Sequence, residues 1–397
     1  MDIKDMEEQS SYIRKNIAPS EPMLRTSRQS TYHWLYTHLF ASPINALITL
    51  LLATLIIYIA KHLGKWVVLD AIWEGKDRTV CATKIQGGIQ NNDWSGACWA
   101  FVKANYTQII YGFYPPEHRW RVNLTGIIAI TVNITFLMPS IPYKFINGFI
   151  SLIIIPIFSW YLLHGGYLSL PLIDTQLWGG LMVTLTIAYI SISISFIIGT
   201  LLALGRRSQI SILRLLCILF IETLRGIPLV SILFIASIMF PLFIPHEITF
   251  DKLLRALIGI AIFTSVYIAE AIRGGLQAIP KSQYEAATSL GLKYTTIMCL
   301  IILPQAYRLV IPAIINILIG MLKETSLIYI VSMFDLLGMI RITSIQANWI
   351  TPQTPATAFV TVAFVYWVLC FMMSRYAYFI EKRINLFKQP MIRSKNR

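Results

Sequence analysis

Charged residues are scarce in this sequence. Asp, Glu, Lys and Arg make up 13% of its 397 residues, whereas a soluble domain has about 25%. Hydrophobic residues make up 56%, and this excess cannot be one oversized interior, because single cores stop growing at about 250–300 residues. The composition therefore excludes a soluble enzyme, a secreted disulfide scaffold and a disordered chain.

Motifs for nucleotide, metal or catalytic chemistry are also missing. The two Gly-Lys pairs, Gly64-Lys65 and Gly75-Lys76, lack the leading glycine and the following hydroxyl residue of a phosphate-binding loop. The six histidines show no ligand spacing with one another or with cysteine. We therefore expect no catalytic residue, no metal site and no cofactor in this chain.

The apolar residues occur in blocks of about 18–25 residues, the length that a helix needs to cross about 30 Å of hydrocarbon. The sequence predicts an all-α polytopic membrane protein with about eight transmembrane helices. Their expected positions are about 43–62, 123–140, 145–163, 177–204, 212–240, 253–272, 306–330 and 357–375.

The positive charge of the chain is explained by membrane topology. Lys and Arg number 33 against 19 Asp and Glu, a net charge of +14, and cytoplasmic loops of membrane proteins are rich in both cations. With the N-terminus inside, the short inner segments carry Lys144, Arg206, Arg207, Arg214, Arg273, Lys281, Lys293 and Arg308. Both termini are therefore predicted to be cytoplasmic, and no nucleic-acid partner is expected.

The chain divides into four predicted parts. They are a cytoplasmic N-terminal segment (1–42), an accessory region with three spans (43–175), a five-span region (177–378) and a basic cytoplasmic tail (379–397). The accessory region contains a long outer loop at 64–122, in which Cys81 and Cys98 both fall. An oxidising compartment would permit a disulfide between them; two unpaired, small hydrophobic side chains are the alternative.

The long inner loop after the sixth span, 273–305, is unusually structured. Pro280 favours a helix start, with Ser282 as a possible cap and Glu285 at the capping-box position. The small Ala286 and Ala287 would let another surface approach the helix closely. Gly291 permits a sharp turn, and Pro304, after Leu303, is expected to end a second helical piece. By composition alone, a re-entrant or surface-lying helix that merely connects two spans is the favoured explanation of this loop.

The order Glu285-Ala286-Ala287, then Gly291, then Leu303-Pro304 resembles the EAA loop of ABC-importer permeases. The stretches Glu222-Thr-Leu-Arg225-Gly226-Ile-Pro228 and Lys323-Glu324-Thr325-Ser326-Leu327 are similar to segments of polar amino-acid permeases. Gly96-Ala97-Cys98-Trp99-Ala100 resembles the larger permeases of general L-amino-acid transporters. Many relatives have Asp or Asn where this chain has Glu324, so substrate preference is not carried over.

The resemblance implies a five-helix type-1 ABC importer core at 177–378, in the inner membrane of a bacterium. It further implies that the 273–305 loop couples the chain to a separate ABC ATPase homodimer that hydrolyses ATP-Mg. A second permease subunit, with a heterodimer preferred, and a periplasmic amino-acid-binding protein would complete an importer of general or polar L-amino acids.

Four ionisable residues inside spans are candidate pathway residues, because such charges are costly in hydrocarbon and usually face a cavity or a partner. They are Glu222, Arg225, Lys323 and Glu324. A zwitterionic amino acid needs a cation for its carboxylate and an anion for its ammonium group. For Glu222 with Arg225, and for Lys323 with Glu324, salt bridges that hold helices in register are the alternative. Glu270 with Arg273 is expected to anchor the start of the 273–305 loop.

Two other classes of function remain open on the sequence. An intramembrane enzyme could use Glu222, Arg225 and polar neighbours, and an ion-coupled secondary carrier would contain its own site for the driving ion. The enzyme would turn over substrate as the isolated chain. The carrier would transport with an ion gradient and no ATPase.

Overall fold

The computed structural model describes residues 31–138, 140–166, 169–243 and 250–395, with the backbone alone for 31–33 and 385–395. Residues 1–30 of the predicted N-terminal segment and 396–397 of the predicted tail lie outside the described residues. The chain forms two compact units, divided after Leu69.

The first unit contains one long helix. Its elements are α1 (Thr31–Leu39), α2 (Pro43–Gly64) and a π-helical turn (Lys65–Leu69). The Ser42 side chain caps α2 by accepting a hydrogen bond from the Asn45 backbone N–H at 3.1 Å, and Pro43 fits the first turn, where its missing N–H needs no partner. With the π-helical turn, α2 is long and apolar enough to cross a membrane.

The second unit is built almost entirely of helices in its described residues. Those up to residue 206 are α3 (Trp99–Tyr111), α4 (Arg119–Leu137), α5 (Lys144–Phe149), α6 (Ile155–His164) and α7 (Gly180–Arg206). The later ones are α8 (Ser211–Arg225), α9 (Leu229–Phe234), α10 (Lys252–Ala278), α11 (Lys281–Ser289), α12 (Tyr294–Thr296), α13 (Leu303–Glu324), α14 (Leu336–Ser344) and α15 (Thr354–Lys395). One short strand, β1 (Phe334–Asp335), precedes α14 and bridges in parallel to Gly179 and Gly180.

Seven helical segments of the described chain are long and apolar enough to cross a membrane, and one bent pair brings the number to eight. The predicted all-α membrane protein with about eight spans is therefore confirmed. Several spans contain π-helical or 3₁₀-helical turns. These turns are Ile150–Ile154, Ile235–Met239, Phe240–Phe243, Ile297–Ile302 and Thr325–Val331.

The fifth predicted span, 212–240, is bent rather than straight. Helix α8 ends at Arg225, α9 begins at Leu229, and the two segments are bent by 104°. Pro228, directly before α9, has no N–H with which to continue the hydrogen-bond ladder of α8. The apolar character of the sequence continues across this break, so hydropathy merges two segments that point in different directions.

The seventh span begins earlier than predicted. It runs from Tyr294 to Val331 instead of 306–330. The prediction that Pro304 ends a helical piece is wrong, because Pro304 lies in the first turn of α13, directly after the π-helical turn Ile297–Ile302. A proline is tolerated at this position because the first turn of a helix leaves its N–H groups without partners within the helix.

Helices α7 and α10 form the closely packed centre of the second unit. The hydroxyl of Ser191 donates to the carbonyl of Leu257 at 3.3 Å, and that of Ser195 donates to the carbonyl of Ala261 at 3.0 Å. One turn further along α7, a Cβ on Gly199 would lie 2.8 Å from the carbonyl oxygen of Ser265. Small residues at four-residue spacing thus let the two backbones approach closely, as is typical of helix pairs in membranes.

A disulfide subdomain, residues 70–115, packs on α14 and α15. The disulfide joins Cys81 and Cys98, whose Cα atoms are 5.8 Å apart. Both cysteines are fully buried, and the Cys98 backbone N–H donates to the hydroxyl of Thr357 in α15 at 2.8 Å. The ring of Phe101 meets that of Trp349 edge-on, with centroids 6.0 Å apart. The subdomain is therefore attached to the five-span core through a shared apolar cluster.

We expect reduction of this disulfide to loosen the subdomain without unfolding the spans. Closing a loop of this length stabilises the folded state by about 3 kcal/mol, chiefly through the unfolded chain. Cys81→Ala with Cys98→Ala should therefore speed tryptic cleavage at Lys76, Arg78 and Lys84, read by mass spectrometry. Cys217→Ala, a substitution in α8, is the matched control. Equal cleavage rates for the double variant and the control would contradict this expectation.

Candidate coupling loop and translocation site

The loop after α10 forms a short helix and a sharp turn. Helix α11 begins at Lys281, directly after Pro280, so Ser282 lies inside the first turn and its predicted capping role is wrong. Gly291 has φ +72°, in the left-handed region that glycine adopts without steric cost. Its N–H donates to the carbonyl of Thr288 at 2.9 Å, which turns the chain back toward α12.

The two alanines of the motif face in different directions. Ala287 is 3% exposed and belongs to an apolar cluster with Leu276, Ile297 and Met298, so it packs on its own chain. Ala286 and Glu285 are exposed, as is Leu290 at the end of the helix. The helix therefore packs on the core along one narrow edge at Ala287, and most of its remaining surface is exposed. Leu303 is buried in the same cluster, whereas Pro304 is exposed.

Five charged side chains form an ion-pair network where α7 and α10 end; we call this end of the second unit the loop end. Arg206 contacts Glu270 at 2.5 Å and Glu222 at 3.0 Å, and Arg273 contacts Glu270 at 2.9 Å. Arg225 lies further away, 3.5 Å from Glu270 and 3.7 Å from Glu222. The network joins α7, α8 and α10 and holds three cations against two anions.

The candidate pathway pairs lie at opposite ends of the core. Glu222 and Arg225 belong to the loop-end network, where each forms an ion pair with a residue of another helix. Helix α13 has 22 residues and is about 33 Å long at 1.5 Å per residue, so Lys323 and Glu324 lie far from the loop end. Lys323 is exposed and Glu324 half-buried, and within the described residues no ion pair includes either.

Sequence reasoning missed a buried carboxylate near Glu324. Asp335 is fully buried, caps α14 through the N–H groups of Leu337 and Gly338, and accepts a hydrogen bond from the Tyr366 hydroxyl at 3.1 Å. Burial raises the pKa of Asp335 above the usual carboxyl value, although its hydrogen bonds act in the opposite direction. The Tyr366 hydroxyl also lies 3.4 Å from that of Thr325. An acidic residue directly before an apolar helical run was the available signal.

Sequence reasoning also missed Arg206 and Arg207 as site residues, because it used them only to orient the chain. Arg207 lies against Tyr284 of α11, with its guanidinium 5.4 Å from the ring centroid and Nη1 3.0 Å from the hydroxyl. Two adjacent arginines at the end of an apolar span were the available signal. The residues that these arginines contact lie 16 to 77 positions further along the chain, so the contacts depend on how the helices pack.

Comparisons with known proteins agree with this architecture. Residues 195–386 match the family described as binding-protein-dependent transport system inner membrane component. The chain is 40% identical to the inner membrane amino-acid ABC transporter permease protein YhdY of Escherichia coli (strain K12), over 94% of this chain and 98% of that protein. It is 30% identical to the glutamate/glutamine/aspartate/asparagine transport system permease protein BztC of Rhodobacter capsulatus, over 94% and 98%.

A solved structure is also similar in part. The crystal structure of an amino acid ABC transporter with histidines is 29% identical, covers 51% of this chain and 92% of that chain, and has a TM-score of 0.45. The family match and the two full-length relatives define an ABC-type membrane permease. The chain belongs to the family of amino-acid ABC transporter permeases. As a multi-pass permease of this family, it works with an ATPase and a binding protein.

Proposed function

We propose that this chain forms part of the pathway through which general or polar L-amino acids enter a bacterial cell. Its two full-length relatives are named as permeases for amino acids, one of them for glutamate, glutamine, aspartate and asparagine. The observation that carries the proposal is the coupling loop: a short helix packed on the core through Ala287 while Glu285 and Ala286 stay exposed. Such a surface suits a separate subunit that supplies the driving force.

The energy comes from outside this chain. A homodimeric ABC ATPase binds ATP-Mg, closes on it and moves the coupling loops, so that the pathway opens outward. A loaded periplasmic binding protein then releases its amino acid, and hydrolysis returns the pathway to the inward-open state. Each ligand can shift this equilibrium only by its difference in affinity for the two states.

The orientation follows from the loop. An ATPase works in the cytoplasm, so the loop end faces inward, and eight spans then place both termini on the cytoplasmic side of the bacterial inner membrane. The disulfide subdomain lies at the other end of the core, because its residue Gly112 bridges to Trp178, just before the start of α7. It therefore faces the periplasm, where the oxidising environment maintains the disulfide.

A second permease chain completes the pathway, and a heterodimer is our first choice. An exposed Lys323 and a half-buried Glu324 with no ion-pair partner among the described residues would be costly against lipid tails. A water-filled cavity between two permease chains removes that cost. There the ammonium of Lys323 is available for a substrate carboxylate, and the carboxylate of Glu324 for a substrate ammonium group.

The test is transport by the assembled complex in proteoliposomes, with a ¹⁴C-labelled mixture of L-amino acids as the probe. We expect accumulation only when ATP and the binding protein are both present. Accumulation with an ion gradient and no ATPase would instead show a secondary carrier. Chemical conversion of an amino acid by the isolated chain in detergent would show an enzyme, and either result would reject the proposal.

A further inference from the structure

The end of α7 places two consecutive arginines between the coupling loop and the bent span. Arg206 is the last residue of α7 and Arg207 directly follows it. Cations at this position are favoured by the negative end of the helix dipole. Their side chains nevertheless contact different helices, so the end of α7 connects those helices to one another.

Arg206 connects α7 to both neighbouring spans. Its Nη1 donates to Oε1 of Glu270 in α10 at 2.5 Å, and its Nη2 donates to Oε1 of Glu222 in α8 at 3.0 Å. Glu222 lies one helical turn before the break at Gly226. Charge-assisted hydrogen bonds from a planar guanidinium fix direction as well as distance. Arg206 therefore fixes the last turn of α8 relative to α10.

Arg207 connects the same point to the coupling loop. Its Nη1 donates to the carbonyl of Leu276 at 3.1 Å and to the hydroxyl of Tyr284 at 3.0 Å. The guanidinium also lies over the ring of Tyr284, an arrangement that contributes cation–π attraction. Tyr284 directly precedes Glu285, so Arg207 holds α11 next to its exposed, partner-facing residue.

The helix that ends at these two arginines is closely packed against α10. Upstream of Arg206, α7 is held against α10 by the Ser191 and Ser195 hydrogen bonds and by the close approach at Gly199. A packed helix pair of this kind moves as a unit rather than deforming continuously. A displacement of α11 thus reaches α8 through two adjacent residues, Arg207 and Arg206.

We propose that Arg206 and Arg207 are positioning residues that transmit movement of the coupling helix α11 to the bent span, Arg207 through Tyr284 and Arg206 through Glu222 and Glu270. This proposal rests on the proposed function and specifies how the loop acts on the pathway. Neither arginine contacts substrate or nucleotide in this role. Their removal should therefore uncouple hydrolysis from transport rather than abolish either protein assembly or hydrolysis.

The experiment measures amino acids accumulated per ATP hydrolysed by the complete complex in proteoliposomes, with the binding protein and the ¹⁴C-labelled L-amino-acid mixture. The variants are Arg206→Gln, Arg207→Gln and the double variant, with Arg214→Gln on the exposed face of α8 as the matched control. We expect each single variant to lower this ratio about two- to thirtyfold, the range for residues that carry coupling between sites. Because both act in one chain of contacts, the double variant should be little worse than either.

Three results would overturn the proposal: an unchanged ratio in both single variants, including the case in which uptake and hydrolysis fall in proportion; effects of the two arginines that multiply in the double variant; or absence of ATP-driven uptake by the wild type. The last would reject the proposed function as well, whereas the first two would leave it standing. If the arginine variants fail to assemble, Tyr284→Phe decides, since it keeps the ring and removes only the hydroxyl. A normal ratio in Tyr284→Phe would then refute the proposal.

Discussion

Glu285→Arg should abolish ATP-driven uptake while leaving the chain folded in the membrane. Glu285 is exposed on α11, and within the described residues it forms no ion pair. Reversing its charge therefore removes nothing from the fold. If Glu285 pairs with a cation at the proposed ATPase interface, the same change leaves that cation unpaired and adds a repulsive charge. Truncating one member of a buried interfacial charge pair costs about 2–5 kcal/mol, so we expect ATPase association to fall at least about thirtyfold.

Gly291→Pro should produce the same loss through the backbone. Proline fixes φ near about −65°, whereas Gly291 has φ +72°, so the turn that returns the chain toward α12 cannot form. Gly291→Ala tests the backbone conformation without a steric clash, because a Cβ at this position meets no atom within 4 Å. Alanine pays only the cost of the left-handed backbone, about 1–2 kcal/mol, and should reduce uptake partially.

The measurements for these variants are uptake, co-purification of the ATPase and membrane insertion. Glu117→Arg provides a matched charge reversal on an exposed turn far along the chain from the loop. We expect that control to keep uptake and ATPase binding. Undiminished uptake by both Glu285→Arg and Gly291→Pro would show that the coupling role assigned to this loop is wrong.

The sequence predicted the turn in the loop, but it did not predict which side chains of the loop face the core. The turn at Gly291 is present, because a glycine between two helical patterns specifies a local backbone conformation. Ala286 and Ala287 share one property in the sequence, small size, yet Ala287 packs inward and Ala286 faces outward. Which face of a nine-residue helix is buried depends on the surface beneath it, here Leu276 and Met298. A helix this short has too few turns for the spacing of its apolar residues to show which face is buried.

The ion-pair network shows the same limit for the site. The spacing of three residues within Glu222–Arg225 and within Glu270–Arg273 places each pair on one helix face. It could not predict that Arg206 would join both glutamates, because that requires the ends of three helices to meet. Glu222 lies in α8, just before the bend to α9, and hydropathy carries no signal for the direction of a span.

Lys323→Ala should lower the rate of amino-acid uptake without weakening ATPase binding. Lys323 lies at the opposite end of α13 from the coupling loop and is exposed, so its loss leaves the ATPase surface intact. If it binds the substrate carboxylate, the variant loses one charge-assisted hydrogen bond, worth about 1.5–3 kcal/mol. We expect uptake at low substrate concentration to fall about ten- to hundredfold, with a smaller effect at saturating concentration.

Glu324→Gln supplies the complementary measurement, because it removes the anion proposed for the substrate ammonium group and keeps nearly the same volume. If both side chains face the pathway, the two variants should alter the substrate profile in different ways. The lysine variant should weaken selection for acidic amino acids most strongly, and the glutamate variant should weaken selection for basic ones. Arg341→Ala, a cation lost from the exposed position of the otherwise largely buried helix α14, controls for a general change in surface charge. Unchanged rates and profiles in both variants would mean that Lys323 and Glu324 only hold helices in register with a partner chain.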